Sequence, residues 1–310
     1  MYPGHDNTEQ QLKETIVYQE FQLTKQALES TISAQSLHAT EPISTQEPLF
    51  QTDEPKPTEF IPPTLAAPVS SDLESRMKEA RILLYEDMVG IPKVRRYVRE
   101  TLDKMGLPYE DIGSAIGRLK ERLLFGGAGG APYDLIIIAA ENRYGTQFAG
   151  EMFDYLLSNM DRNTAVILEA WHLDKVSEGS AKPILEQCGV KITNYSGAVH
   201  SEMDMVLWPT GIADPVLTEP NNYPKLTKPI FFWRPVDLGD LMELSGSRDA
   251  KLIIGRKANE SRKYGVVAVC MKGQLIIQTF SSHNYHLDPM MTVWENYIYN
   301  ALKTHFQGKE

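Results

Sequence analysis

Carboxylates and histidines at the ends of apolar runs are the residues of this chain whose types and spacing suit chemistry. Residues 81–87 read as a strand ending on Glu86 and Asp87. Residues 134–141 read as a second strand, ending on Glu141 just before Asn142, and residues 165–172 as a third, finishing on Glu169, Trp171 and His172. A later segment, Thr279-Phe-Ser-Ser-His283, adds His283. If these side chains share one edge, a carboxylate orienting an imidazole supplies general acid and base chemistry. Glu169, His172 and His283 are therefore the catalytic candidates. Glu86, Asp87, Glu141, Asn142 and Trp171 are the ligand-binding candidates beside them. Two histidines and a carboxylate also form a donor set for a divalent metal, but the chain has no metal-ligand spacing, and no metal or cofactor is expected. Each residue has a plainer role open to it. Asp87 suits a cap for a helix opened by Pro92, Glu141 a surface pair with Arg143, and His172 a half-buried place on the rim beside Trp171.

The elements that must position these groups alternate. Unbroken apolar runs such as 134–141 and 165–172, separated by one helical pattern, are the mark of neighbouring parallel strands covered on both faces. Between them the helical stripes are Val94, Tyr97, Val98, Leu102 and Met105, ended by Gly106; then Ile116, Leu119, Leu123 and Leu124; then Phe148, Met152, Phe153, Leu156, Leu157 and Met160. A doubly wound, mostly parallel α/β sheet of flavodoxin-like type follows from strand and helix in alternation. In such a sheet ligands bind beyond the carboxyl ends of the strands, which is where the candidate residues fall.

The run Gly126-Gly-Ala-Gly-Gly130 invites a phosphate-binding reading, yet it follows a helix and opens a strand, the reverse of a phosphate loop, and no Lys-Ser/Thr comes after it. It reads as a turn. Residues 197–247 are broken by prolines into short pieces and read as an irregular excursion over the sheet's edge, with Trp208, Tyr223, Phe232 and Trp233 as stacking faces for a carbohydrate or as the core of a lid. Residues 251–255 return to strand. Residues 265–280 form a hairpin about Lys272-Gly273, and Val293, Trp294, Tyr297, Ile298 and Leu302 mark a closing helix.

Ahead of residue 73 the texture changes twice. Residues 1–36 are expected to hold an amphipathic helical arm, with Leu12, Ile16, Leu23 and Ala27 beside Val17, Phe21, Leu28 and Ile32, suited to self-association or a protein partner; the alternative is a mostly disordered arm, because Gln and Thr dilute the stripe. Residues 37–72 carry seven prolines among Thr, Ser and Glu, an extended linker. Residues 73–310 are the globular unit. A net charge of −10 argues against a nucleic-acid partner, and no apolar run reaches the length of a membrane span. As written the chain reads as cytoplasmic; spacers of this kind resemble those of bacterial surface proteins, so an amino terminus upstream would make it a tethered surface protein. Cys188 and Cys270 are its two cysteines, and one disulfide or two core thiols fit equally.

This order of parts resembles the class I glutamine amidotransferase-like superfamily, and within it the ThuA-like branch. The resemblance spans roughly residues 81–306. It rests on the strand ending Glu169-Ala-Trp-His172 and on the hairpin that runs into Thr279-Phe-Ser-Ser-His283 and a final helix. It implies a catalytic His at position 283, but Asn284-Tyr285 stands where the family has Pro-Glu. It also implies a Cys nucleophile on a Gly-x-Cys-x-Gly turn, and no such turn occurs here. The expectation is a non-catalytic module for binding a small polar ligand or for assembly. The alternative is a ThuA-like hydrolase or sugar-modifying enzyme using His172 or His283 with Glu169 or Glu141.

Overall fold

The computed structural model describes residues 71–87, 94–141, 151–193, 205–227, 229–230, 239–246, 248–256 and 264–308. The arm and nearly all of the linker lie outside the described residues, as do Pro92, Asn142, Arg143, Phe148, Phe232 and Trp233.

Helix α1 (Ser71–Lys78) leads into strand β1 (Ile82–Glu86), α2 (Tyr97–Met105), β2 (Glu110–Asp111), α3 (Ile116–Phe125), β3 (Leu135–Ala140), α4 (Met152–Met160), β4 (Ala165–Ala170) and α5 (Lys182–Cys188). Then come β5 (Val190–Thr193), β6 (Trp208–Pro209), β7 (Leu241–Leu244), β8 (Lys251–Gly255), β9 (Tyr264–Gly265), β10 (Val267–Cys270), β11 (Leu275–Gln278) and the closing helix α6 (Leu287–Gln307). The main sheet has the order β2-β1-β3-β4-β11-β10-β8-β6. Its first five strands are mutually parallel, and β10, β8 and β6 add antiparallel pairs. This is the doubly wound, mostly parallel α/β sheet with a C-terminal hairpin and helix.

Every residue of β1, β3 and β4 is buried, because helices cover both faces. Alternation sorts the side chains into two cores. Ile82, Leu84, Leu135, Ile137, Ala165 and Ile167 pack on the layer of α1, α2 and α6. Leu83, Tyr85, Ile136, Ile138, Val166 and Leu168 pack on the layer of α3, α4 and α5. Burying a side chain of this size stabilises the fold by roughly 1.5–3 kcal/mol.

Three expectations are corrected. The helix that carries Tyr97 and Leu102 begins at Tyr97, while residues 94–96 are not helical, so Val94 is not on its stripe. The excursion is not wholly irregular: β6 pairs with β8 at the edge of the main sheet, and β7 is the middle strand of a second, antiparallel sheet of order β5-β7-β9. Glu141 is 4% exposed rather than a surface residue. The open question of the cysteines is answered by a Cys188–Cys270 disulfide, which ties the end of α5 to the end of β10.

Candidate functional site

Continuing the alternation of β1, β3 and β4 past their last apolar residues places Glu86, Glu141 and Glu169 in phase with Leu84, Ala139 and Ile167, on the α2 and α6 face of the sheet. Gln278 is the register partner of Glu169 across β11 and β4, so it joins the same layer. All four side chains are buried. Buried charge is expensive unless paired and hydrogen-bonded, and here it is met by a connected network.

Glu86 receives the first turn of α2. Its two oxygens accept from the backbone N–H groups of Val98 (3.0 Å) and Arg99 (3.2 Å), and Arg96 Nε lies 3.1 Å from Oε2. Arg96 also grips Asp111 with both terminal nitrogens, at 2.5 and 2.7 Å. Burial nevertheless outweighs these partners and raises the Glu86 pKa from 4.5 to about 7. Glu86 thus caps α2; the start at Pro92, for which Asp87 was the expected cap, lies outside the described residues. Asp87 is fully buried, with its backbone N–H donating to Ala139 O at 2.8 Å.

Glu141 holds His283. Its Oε1 lies 2.7 Å from His283 Nδ1, while Oε2 accepts from the His283 backbone N–H (3.2 Å) and the Ser281 hydroxyl. The other ring nitrogen, Nε2, lies 2.8 Å from the carbonyl oxygen of Arg95. The Arg95 carbonyl oxygen only accepts, so Nε2 carries a proton, while Nδ1 and Glu141 share one between them, an arrangement that favours the imidazolium–carboxylate form. Burial opposes that charge, but the Glu141 carboxylate and the Arg95 carbonyl overcome it and raise the pKa from 6.5 to about 8. Tyr97 stacks on the ring with centroids 4.0 Å apart.

Glu169 is a buried acid. Its Oε1 accepts from Gln278 Nε2 (2.9 Å), Ser282 N (2.8 Å) and the Ser282 hydroxyl (2.7 Å), and the same hydroxyl accepts from Trp294 Nε1 at 3.1 Å. Oε2 has no partner among the described residues. Burial, reinforced by the nearby charge of Glu141, pushes its pKa well above the carboxylate range, so the neutral acid is favoured.

The structure therefore brings together Glu86, Glu141, Glu169 and His283. His172 is half-buried, in the left-handed region at φ 63°, with its ring 4.4 Å from that of Trp171. Trp171 is buried and packs beside Gly239, where a Cβ would meet its Cδ1 at 2.7 Å. Asn142 lies outside the described residues. Ser281, Ser282, Gln278, Arg96, Tyr97 and Trp294 complete the network without having been singled out. The register of Gln278 with Glu169 and the Ser-Ser step before His283 were the available signals.

Chemically, the linkage runs Ser281–Glu141–His283, with the carboxylate in the middle. A serine nucleophile needs the imidazole as its neighbour, and here the hydroxyl donates to the carboxylate instead. Among the described residues no group of three or more His, Cys, Asp and Glu side chains is arranged to hold a metal, and no helix is long and apolar enough to cross a membrane.

Fold and site together define an α/β domain whose strand-end carboxylates are engaged by its own Arg, His and Ser side chains. No protein-family model and no curated protein matches the chain. Among solved structures it is similar to a candidate GMP synthase component from Thermoplasma acidophilum, at 10% identity and a TM-score of 0.44, over 74% of this chain and 98% of that one. It is also similar to a cytoplasmic protein from Salmonella typhimurium, at 10% identity and a TM-score of 0.42, over 71% of this chain and 97% of that one. These likenesses carry no function across, and the fold class rests on the strand order itself.

Proposed function

We propose that the globular unit is a non-catalytic module for ligand binding or assembly, built on an amidotransferase-like layout without its cysteine nucleophile. The observation that carries this reading is the state of His283. With Nδ1 held by Glu141 and Nε2 by the Arg95 carbonyl, both ring nitrogens of the buried imidazole are engaged inside the fold, which supports a histidine that is not presented to a substrate as a base. Two further features support it. The chain's two cysteines are joined to each other, which removes a thiolate as nucleophile, and Ser281 donates to Glu141 rather than to the histidine.

One observation favours the alternative of a ThuA-like hydrolase or sugar-modifying enzyme. Burial pushes the Glu169 pKa well up and its Oε2 has no partner among the described residues, the direction of shift that a general acid needs. Its complete burial weighs against contact with a substrate.

The two readings separate on a turnover assay. Full-length protein is incubated with L-glutamine, with an activated ester and with an aryl glycoside, beside the His283→Gln and Glu169→Gln variants. The expected result is a background rate for all three proteins. Turnover that disappears in either variant while the circular dichroism spectrum is retained overturns the non-catalytic reading.

A further inference from the structure

Two cavities open near the amino ends of the strands, on the edge opposite the Glu141–His283 network. The larger, of about 440 Å³, is lined by Arg81, Tyr109, Glu110 and Tyr133 among others, and its polar groups are satisfied internally. Tyr133 donates to Glu110 at 2.6 Å, and so does Arg122. The smaller, of about 310 Å³, lies beneath the β10–β11 turn. It is polar in a different way, because several of the groups lining it keep hydrogen-bonding capacity.

Asn300 on α6 lines this cavity and is 7% exposed. Its Nδ2 donates to two carbonyl oxygens, of Glu219 (2.7 Å) and Asn296 (2.9 Å). That uses both amide hydrogens and fixes the orientation of the amide. Its Oδ1 is left as an acceptor without a partner among the described residues. As an accessible acceptor on the wall of the cavity it is open to a bound donor. Thr304, one turn on, also faces the cavity.

The charges around the cavity balance. Lys251 Nζ donates to Asp214 at 3.0 Å with one of its three hydrogens. Asp249 accepts from the backbone N–H groups of Met271 and Lys272, and the exposed ammonium of Lys272 has no partner among the described residues. Two lysines and two aspartates favour a ligand that is neutral overall but carries separated charges; a phosphate dianion would meet both carboxylates. Val216 and Val269 supply an apolar wall. The volume lies at the small end of the ligand-pocket range of roughly 300–1,000 Å³.

We propose that this cavity is a binding site for a small zwitterion of the free amino-acid class. Lys272 and Lys251 hold its carboxylate, Asn300 Oδ1 and Asp214 receive its ammonium group, and an aliphatic side chain lies against Val216 and Val269. The proposal is independent of the reading given to the strand-end network, and its failure leaves that reading untouched.

The test is calorimetric titration of the full chain with L-leucine and L-valine, and with isovalerate and isoamylamine as the two halves of leucine. At least one amino acid is expected to bind about tenfold or more tightly than either half. Lys272→Asn, which keeps a residue tolerant of the positive φ at this position (58°), is expected to weaken the amino acid and isovalerate by about tenfold or more and to leave isoamylamine unchanged. Its urea midpoint should match the parent, because the exposed Lys272 side chain has no hydrogen-bond or ion-pair partner among the described residues. Failure of both amino acids to bind at millimolar concentration overturns the proposal, as does binding that Lys272→Asn does not alter.

Discussion

His283 sits between two oxygen acceptors, which makes its charge part of the fold. Its folded-state pKa of about 8 lies above the usual 6.5, so the Glu141–His283 pair contributes fully below about pH 6.5. That contribution, roughly 2 kcal/mol, is lost as pH rises through about 8. Glu86 acts in the same direction. Burial raises it from 4.5 to about 7, so it favours the fold while protonated and its ionisation through about pH 7 opposes the fold. The domain is therefore expected to lose stability as pH rises from about 4.5 to 8, first through Glu86 and then through His283, as read by urea unfolding at fixed salt. In His283→Gln the slope between pH 6.5 and 8 should flatten; a parent whose stability rises over that range contradicts the assignment. Glu169→Gln separates two states of the buried acid. If Glu169 is neutral in the fold, the amide is tolerated to within about 1 kcal/mol at pH 6 and is less pH-dependent than the parent. If it is ionised, the amide gives up charge-assisted hydrogen bonds from Gln278 and Ser282, each of about 1.5–3 kcal/mol. The strand ends of this site were legible in the sequence: apolar runs at 81–87, 134–141 and 165–172 set Glu86, Glu141 and Glu169 at one edge, and the pairing register of the strands then puts them on one face. What was not legible is the partner of each: the Arg95 carbonyl reaches His283 across 188 residues of sequence, and only the closed fold brings them together.

At the scale of elements, the strongly periodic pieces were readable and the short ones were not. Strands β1, β3, β4, β10 and β11 are apolar runs with no competing pattern. Strand β7 is four residues, Leu-Met-Glu-Leu, with only Leu241 and Met242 buried. It is a strand because β5 and β9 pair with it, and that tertiary cause leaves little trace in four residues. The disulfide is likewise a fact of packing: Cys188 ends a helix and Cys270 ends a hairpin strand, and nothing in their spacing pairs them. It closes a segment of 82 residues in sequence separation. Restricting the unfolded chain over a loop of that length stabilises by about 4–5 kcal/mol on chain-entropy grounds, with measured values for disulfides commonly about 2–4. The Cys188→Ala/Cys270→Ala double variant should lose stability in that lower range by urea unfolding, equal to the parent assayed with its disulfide reduced. An oxidised parent no more stable than the double variant would remove the structural role of this link.

At the scale of the whole molecule, the globular unit begins with a helix that belongs to it. Arg76 of α1 donates to the carbonyl oxygen of Phe306 at 3.0 Å and lies over its ring at 4.9 Å, so α1 is fastened to the end of α6. The residues before it are of another kind. The sequence of residues 1–36 spaces its apolar residues as an amphipathic helix would, and an isolated helix of that length is marginal in water. The proline-rich stretch at 37–72, drawn out at about 3.1 Å per residue, spans on the order of 100 Å. We propose that arm and spacer act as a tether: the arm joins chains or docks on a partner, and the spacer sets the distance at which the domain is presented. A module whose strand-end groups are engaged with one another gains from such a layout, since two or more copies on one assembly raise the effective concentration of weak sites without new contacts. Light scattering coupled to size exclusion decides it. The full chain is expected to be an oligomer and a chain lacking residues 1–40 a monomer, with the two sharing one urea midpoint because the deletion stops short of α1. An oligomer that persists without residues 1–40 would move self-association into the globular unit, and a full chain that is already monomeric would leave the arm to a different partner protein.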